Sequence, residues 1–93
     1  MDHVALFNEL TKLIKVVGGE GAQATSEDDD ISEVGLDSLD IVMLSMYLAE
    51  LYGLDEEQAK NLPVNTVKDV FDYAESTGTK KPESVEAAIE AVK

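Results

Sequence analysis

Gly35-Leu36-Asp37-Ser38-Leu39-Asp40 runs without a break into Ile41-Val42-Met43-Leu44-Ser45-Met46-Tyr47-Leu48. An acidic turn led by glycine passes straight into the most apolar run of the chain. Glycine at 35 permits a sharp turn. Asp37 and Ser38 are both good helix N-caps. The run that follows predicts a central helix over residues 38–52, ended by Gly53. If Ser38 is the cap, its third following residue is Ile41, so a capping box lacks its acid.

This helix has too many apolar positions for one stripe. Ile41, Leu44, Leu48 and Leu51 make one face, and Leu39, Val42, Met43 and Met46 make another. The first face is expected in the core and the second is expected to be offered to a partner, since methionine surfaces adapt to several partners. The alternative is that other helices of the chain cover the second face.

On either side the pattern is also helical. Leu6, Phe7, Leu10, Leu13, Ile14 and Val17 recur at three- and four-residue spacing, which predicts a first helix over residues 2–17. Asp2 and Lys15 complement its dipole, and Gly18-Gly19 stops it. Residues 18–34 read as a long loop, with Ile31 and Val34 as apolar anchors and Glu27-Asp28-Asp29-Asp30 as a solvated acidic face. The acid run lacks the spacing of an EF-hand. After Gly53, Asp55 caps a turn or two of helix that Asn61-Leu62-Pro63 breaks. Asn65 or Thr66 caps a fourth helix with Val67, Val70, Phe71 and Ala74 buried, ending near Gly78. Thr79-Lys80-Lys81 is a linker, and Pro82 suits the first turn of a last helix carrying Val85, Ala88, Ile89 and Val92. No segment alternates like a strand. The fold class is therefore all-α, a small bundle with two long helices, a short third, a fourth and an additional C-terminal helix. The domain expected is 1–78, with 79–93 a linker and amphipathic helix packed on it.

Composition narrows the function. Ninety-three residues make one small domain, which buries about two-thirds of its unfolded surface and has little room for a deep active site. Twenty acids against seven bases give a net charge of −13. That repels nucleic acid and anionic lipid and favours encounters with basic protein surfaces. With no cysteine, disulfides and thiolate metal sites are excluded and a reducing, cytoplasmic setting fits. The N-terminus has no secretory-signal pattern, and no apolar run approaches the roughly 20 residues that span a bilayer.

Ser38 has three readings from its residues: cap, nucleophile or attachment point. A nucleophile needs a base and an orienting group. The only histidine is His3, read as a solvated first-turn residue. The second glycine of the G-x-S-x-G elbow is missing too. These features argue against self-contained catalysis, so no catalytic residue and no resident metal ligand is assigned. An exposed serine at a helix N-terminus remains, where a phosphoryl group is favoured.

The segment Gly35-Leu36-Asp37-Ser38-Leu39-Asp40 resembles the phosphopantetheine attachment motif of acyl carrier proteins. Glu33-Val34-Gly35 ahead of it, and Thr66-Val67 with Phe71-Asp72-Tyr73 in the fourth helix, extend the resemblance over roughly residues 3–76. The resemblance implies that Ser38 carries phosphopantetheine, donated from coenzyme A, through a phosphodiester. Asp37 would be the adjacent acid, contributing to the metal site during modification. Leu39, Val42, Met43 and Met46 would be the face read by partners, with Asp40 and Glu50 meeting their basic residues. The arm would bring the thiol that a cysteine-free chain lacks.

The implied partners are a phosphopantetheinyl transferase and acyl-loading, condensing or acyl-transfer enzymes with basic docking surfaces, acting on a monomer. The chain departs from ordinary carriers at Met43 and Ala49, where acids are usual, at the bulky Tyr47, and in its C-terminal helix. These departures imply a specialised carrier in a fatty-acid, polyketide or modified-lipid pathway. The C-terminal helix either caps the bundle or docks a partner. The competing functions are an aminoacyl or peptidyl carrier and an unmodified helical interaction module.

Overall fold

A computed structural model describes residues 2–14, 24–34 and 36–92. Five helices follow in order: α1 (His3–Ile14), α2 (Ser38–Tyr52), α3 (Glu56–Lys60), α4 (Val67–Thr77) and α5 (Val85–Val92). The all-α expectation holds. Among the described residues the only β-type pairing is an isolated bridge between Asp30 and Thr66. No helix among the described residues is long and apolar enough to cross a membrane. The expected end of α1 at Val17, its Lys15, the Gly18-Gly19 stop and Gly35 lie outside the described residues.

The core forms where the apolar stripes meet. Leu6, Phe7 and Leu10 of α1, Leu44, Leu48 and Tyr52 of α2, and Val67, Val70, Phe71 and Ala74 of α4 are fully buried. Each large apolar side chain so buried contributes about 1.5–3 kcal/mol. Ile31 pins the acidic loop, and Val34 packs partly against the same cluster, as their sequence positions predicted.

The loop itself differs from expectation. Its acids build turns as well as face solvent. Asp29 Oδ2 accepts from Thr25 N–H at 2.7 Å and Ser26 N–H at 3.2 Å, and Asp30 Oδ1 accepts from Ser32 N–H at 2.8 Å. The loop carbonyls of Asp29 and Glu27 accept from Val67 and Lys68 N–H at 3.0 and 2.8 Å. They thereby satisfy N–H groups that the start of α4 leaves free. Asn8 clips the loop to α1 from the other side, accepting from Ala24 N–H at 2.8 Å and donating to Ala24 C=O at 3.0 Å.

His3 is a second correction. Its side chain is 14% exposed, with Nδ1 3.5 Å from Glu27 and Nε2 3.5 Å from Glu75. The ring stacks on Phe71 at 4.6 Å and 4°. Asp2 holds the turn before it, accepting from Ala5 N–H at 3.1 Å. The N-terminal turn is therefore tied to α4 and the loop by contacts distant in sequence.

Helix ends follow their chemistry, with two changes. Thr66 caps α4, accepting from Asp69 N–H at 3.1 Å. Asp55 and Gln58 form a reciprocal box on α3. Gly53 ends α2 at φ 71°, the left-handed conformation that glycine adopts without strain. Gly78 ends α4 in an extended conformation instead. Glycine is required there because a Cβ would lie 2.1 Å from the Tyr52 carbonyl oxygen. That carbonyl accepts from Thr79 N–H at 2.9 Å and Lys80 N–H at 3.2 Å, fixing the linker to the end of α2.

The last helix begins later than Pro82 predicted. Ser84 Oγ accepts from Ala87 N–H at 3.0 Å, so Ser84 is the better-placed cap and Pro82 precedes it. α5 then packs on α1 and α2. Ala88 is fully buried, and Val85, Ile89 and Val92 press on the core.

Candidate functional site

The site starts from the cap of α2. Leu36 is buried and anchors the chain ahead of it. Asp37 takes extended backbone angles and accepts at Oδ1 from Asp40 N–H at 2.9 Å. Asp37 N–H in turn donates to Asp40 Oδ2 at 3.1 Å. The cap therefore lies one residue earlier than Ser38, and its third residue is Asp40 rather than Ile41. The box that looked incomplete is complete, with aspartate in the position where glutamate is usual.

Ser38 is left as the first helical residue. It is exposed, and its hydroxyl makes no hydrogen bond with a described residue. No base is bonded to it. His3 is engaged instead with Glu27, Glu75 and Phe71. The arrangement offers a free hydroxyl at the positive end of a helix, flanked by the exposed Asp37.

Asp40 is only 8% exposed. Its carboxylate turns back to the Asp37 N–H, so little of it is left at the surface where the expected contact with a partner's basic residues would be made. Glu50, by contrast, is exposed.

Downstream of Ser38, Leu39, Val42 and Met46 are 67%, 53% and 65% exposed. Their three- and four-residue spacing puts them on one stripe, about 10 Å long at 1.5 Å per residue. Met43 lies beside the stripe and is half-buried. Tyr47 and Ala49 are half-buried against the core. The apolar surplus of α2 therefore divides. Leu44, Leu48, Leu51 and Tyr52 enter the core, and Leu39, Val42 and Met46 are left outside.

The stripe continues into an open groove of about 470 Å³ between α2 and α3. Val42, Met46, Ala49, Leu54 and Ala59 supply its apolar lining. Glu50, Glu56 and Lys60 supply its charges, Lys60 lying 3.5 Å from Glu56. Sequence reasoning stopped at α2 and missed the α3 side of this groove. A helix of five residues is too short to display a period, so Ala59 had no pattern to mark it. Among the described residues, no cluster of three or more histidine, aspartate or glutamate side chains is placed to hold a metal ion.

The sequence is similar to proteins named acyl carrier protein. That of Coprothermobacter proteolyticus is 34% identical over 77 residues, covering 82% of this chain and 94% of the relative. That of Helicobacter pylori is 39% identical over 75 residues, covering 77% and 94%. That of Syntrophobacter fumaroxidans is 32% identical over 74 residues, covering 78% and 91%. No family model matches the chain, and no solved structure matches it.

Proposed function

The chain belongs to the acyl carrier protein family and is a carrier in that general sense, and on that premise we propose that Ser38 is its phosphopantetheine attachment residue. The observation that carries this reading is the division of labour between neighbours. Asp37 takes the cap, so the Ser38 hydroxyl is exposed and has no hydrogen-bonding duty within the described fold. The residues present fit the group. A phosphodiester on Ser38 Oγ would sit at the helix N-terminus, where the dipole favours an anion. Ser38 Oγ would lose its proton and form a bond to the phosphorus of coenzyme A's phosphopantetheine half, while the pyrophosphate P–O bond breaks and adenosine 3′,5′-bisphosphate leaves, on a phosphopantetheinyl transferase. Asp37 would lie beside the metal that the transferase brings. When bound, the group supplies a terminal thiol that holds cargo as a thioester.

In this reading the chain is not an enzyme. Leu39, Val42, Met43 and Met46 form the face that acyl-handling enzymes read, and Glu50 meets their basic residues. The high negative charge favours such encounters and opposes self-association, so the working form is a monomer. Residues 1–78 are the carrier domain, and 79–93 are an extension of it. An acyl cargo of a fatty-acid, polyketide or modified-lipid pathway is favoured over an aminoacyl one, because the groove next to the stripe has an apolar lining.

Mass spectrometry after incubation with coenzyme A and a broad-specificity transferase tests the attachment. One phosphopantetheine on native protein and none on Ser38→Ala is the expected result. An unmodified native protein, alongside a control carrier that is modified, would leave a helical interaction module as the better description. Loading of the modified protein with acyl rather than aminoacyl groups then tests the cargo class.

A further inference from the structure

Lysines are scarce in this chain, and most of those described are occupied. Lys12, Lys60 and Lys68 each pair with an acid on their own helix, at 3.0, 3.5 and 2.7 Å. Lys80 and Lys81, in the linker between α4 and α5, are exposed and make no ion pair with a described residue. Their backbone is nevertheless held. Thr79 and Lys80 N–H donate to the Tyr52 carbonyl, and the Thr79 hydroxyl donates to the Gly53 carbonyl at 3.4 Å. Two adjacent cations are thereby fixed at the C-terminal end of α2. With Pro82 they border a cleft of about 170 Å³ against Glu50 of α2 and the exposed Ala87 and Ala91 of α5. Ala87 and Ala91 are four residues apart on one face, and their methyl groups leave the cleft open on that side. Glu50 is exposed and also lines the α2–α3 groove, so cleft and groove share a border.

We propose that Lys80 and Lys81 take a carboxylate side chain of the same enzyme that reads α2, an inference that rests on the α2 face being the one partners read. Size and charge select the occupant. Ligand pockets hold about 300–1,000 Å³, so a cleft of about 170 Å³ admits one side chain and not a cofactor or a helix. Two unpaired cations call for an acid. Nucleic acid, an anionic membrane and a second copy of the chain are repelled by the net charge of −13. A single carboxylate at the edge of a basic docking surface is not. The reach is sufficient. Leu39 to Glu50 spans about 16 Å at 1.5 Å per residue, and a partner footprint of about 800 Å² is roughly 30 Å across. The enzyme then meets opposite signs along α2, placing a base at Glu50 and an acid at Lys80 and Lys81. Such a pattern fixes the register and rejects an enzyme that sets a base at both places, because like charges brought together repel. The C-terminal extension thereby takes part in choosing the partner.

The test uses the full chain, made in the cells it comes from, with a photo-crosslinking amino acid in place of Val42 or, separately, of Ala87. Crosslinked peptides are sequenced by mass spectrometry. One acyl-handling enzyme is expected at both positions, with an aspartate or glutamate in or beside the peptide joined at Ala87. With that enzyme purified, KM for the chain should rise about fivefold or more in Lys80→Glu/Lys81→Glu, an exposed change. It should fall back when the enzyme's acid is changed to lysine. The melting temperature of the double variant should match that of the native chain. An enzyme joined at Val42 but not at Ala87 would overturn the linker's role and leave the α2 face standing. So would a KM indifferent to the charge reversal, or a second copy of this chain joined at Ala87. No acyl-handling enzyme at Val42 would instead overturn the reading of α2, and this inference with it. None of these results bears on Ser38, whose modification is read separately by mass.

Discussion

Asp37 and Asp40 cap each other: Asp40 N–H donates to Asp37 Oδ1 at 2.9 Å, and Asp37 N–H donates to Asp40 Oδ2 at 3.1 Å. Ser38 stands between them at the start of α2 and takes no part in the exchange. Stability and modification should therefore separate at adjacent residues. Ser38→Ala is expected to keep the urea midpoint of the native chain and to lose all modification by coenzyme A and a transferase. Asp37→Ala removes the cap and should cost about 1 kcal/mol. A Ser38→Ala chain destabilised as much as Asp37→Ala would return the capping role to the serine.

Tyr52 carries a buried hydroxyl with no hydrogen-bond partner among the described residues, and its ring lies edge-on to Phe71 at 6.3 Å and 65°. An unmade bond of this kind costs about 1–3 kcal/mol. Tyr52→Phe keeps the ring and removes the orphan, so its melting temperature should equal or exceed that of the native chain. Burial, with a smaller contribution from the Glu75 charge, pushes the phenol up to about 12. The unfolded chain loses this proton near 10, so stability present below pH 10 should fall between pH 10 and 12. Absorbance titration should show one of the three tyrosines ionising late, and Tyr52→Phe should abolish that step.

Asp29 works at the opposite end of the pH scale. Backbone N–H donation from Thr25 holds its carboxyl below its ordinary 3.8, against a smaller desolvation effect that raises it. Hydrogen bonds from the Ser32 hydroxyl and N–H do the same for Asp30. A depressed folded-state value contributes stability above the unfolded value, and that contribution is lost as pH falls through the folded one. The stability contributed by these two turns should therefore decline as pH falls below the ordinary 3.8. Asp29→Asn should flatten the pH dependence of the urea midpoint in that window. An unchanged slope would show that the Thr25–Asp29 turn is not formed in solution.

Gly78 faces the Tyr52 carbonyl so closely that no Cβ fits, with 2.1 Å to that oxygen and 2.7 Å to that of Ala74. Gly78→Ala must displace the linker from the end of α2 and should cost about 2 kcal/mol, within the range of disruptive single changes. Because α5 follows this linker, amide exchange in α5 should accelerate in the same variant.

Met46 and Met43 should answer differently to a polar side chain. Met46 is 65% exposed and Met43 half-buried. Met46→Gln should leave the melting temperature within measurement error and weaken turnover by enzymes that read this face. Met43→Glu should shift both. Equal thermal losses at the two positions would place Met46 in the core.

Much of the fold was legible because helices advertise themselves locally. The spacing of Val67, Val70, Phe71 and Ala74 named four residues that are all fully buried. Asp55 marked a helix start by its side-chain oxygen, and Gly53 marked a helix end by having no side chain to forbid the left-handed turn. The start of α2 at Ser38 was legible, but its cap stayed open between Asp37 and Ser38, because the two have similar intrinsic capping ability. Only the position of the Asp40 carboxylate separates them. Pro82 misled about the start of α5, since Ser84 offered a hydroxyl closer to the N–H groups that needed it.

The sequence by itself determined the helical class, the order of elements, the surplus of apolar residues on α2 and the exposure of a serine at its head. These depend on residues within a turn or two of one another. Tertiary structure alone decided which part of that surplus stays outside, that Ala59 of α3 completes the groove beside it, and that His3 stacks on Phe71. It also seated α5 against α1 and α2. Burial and packing depend on which faces meet across the bundle. No local pattern carries that information, because contacts such as His3 with Phe71 join residues from opposite ends of the chain.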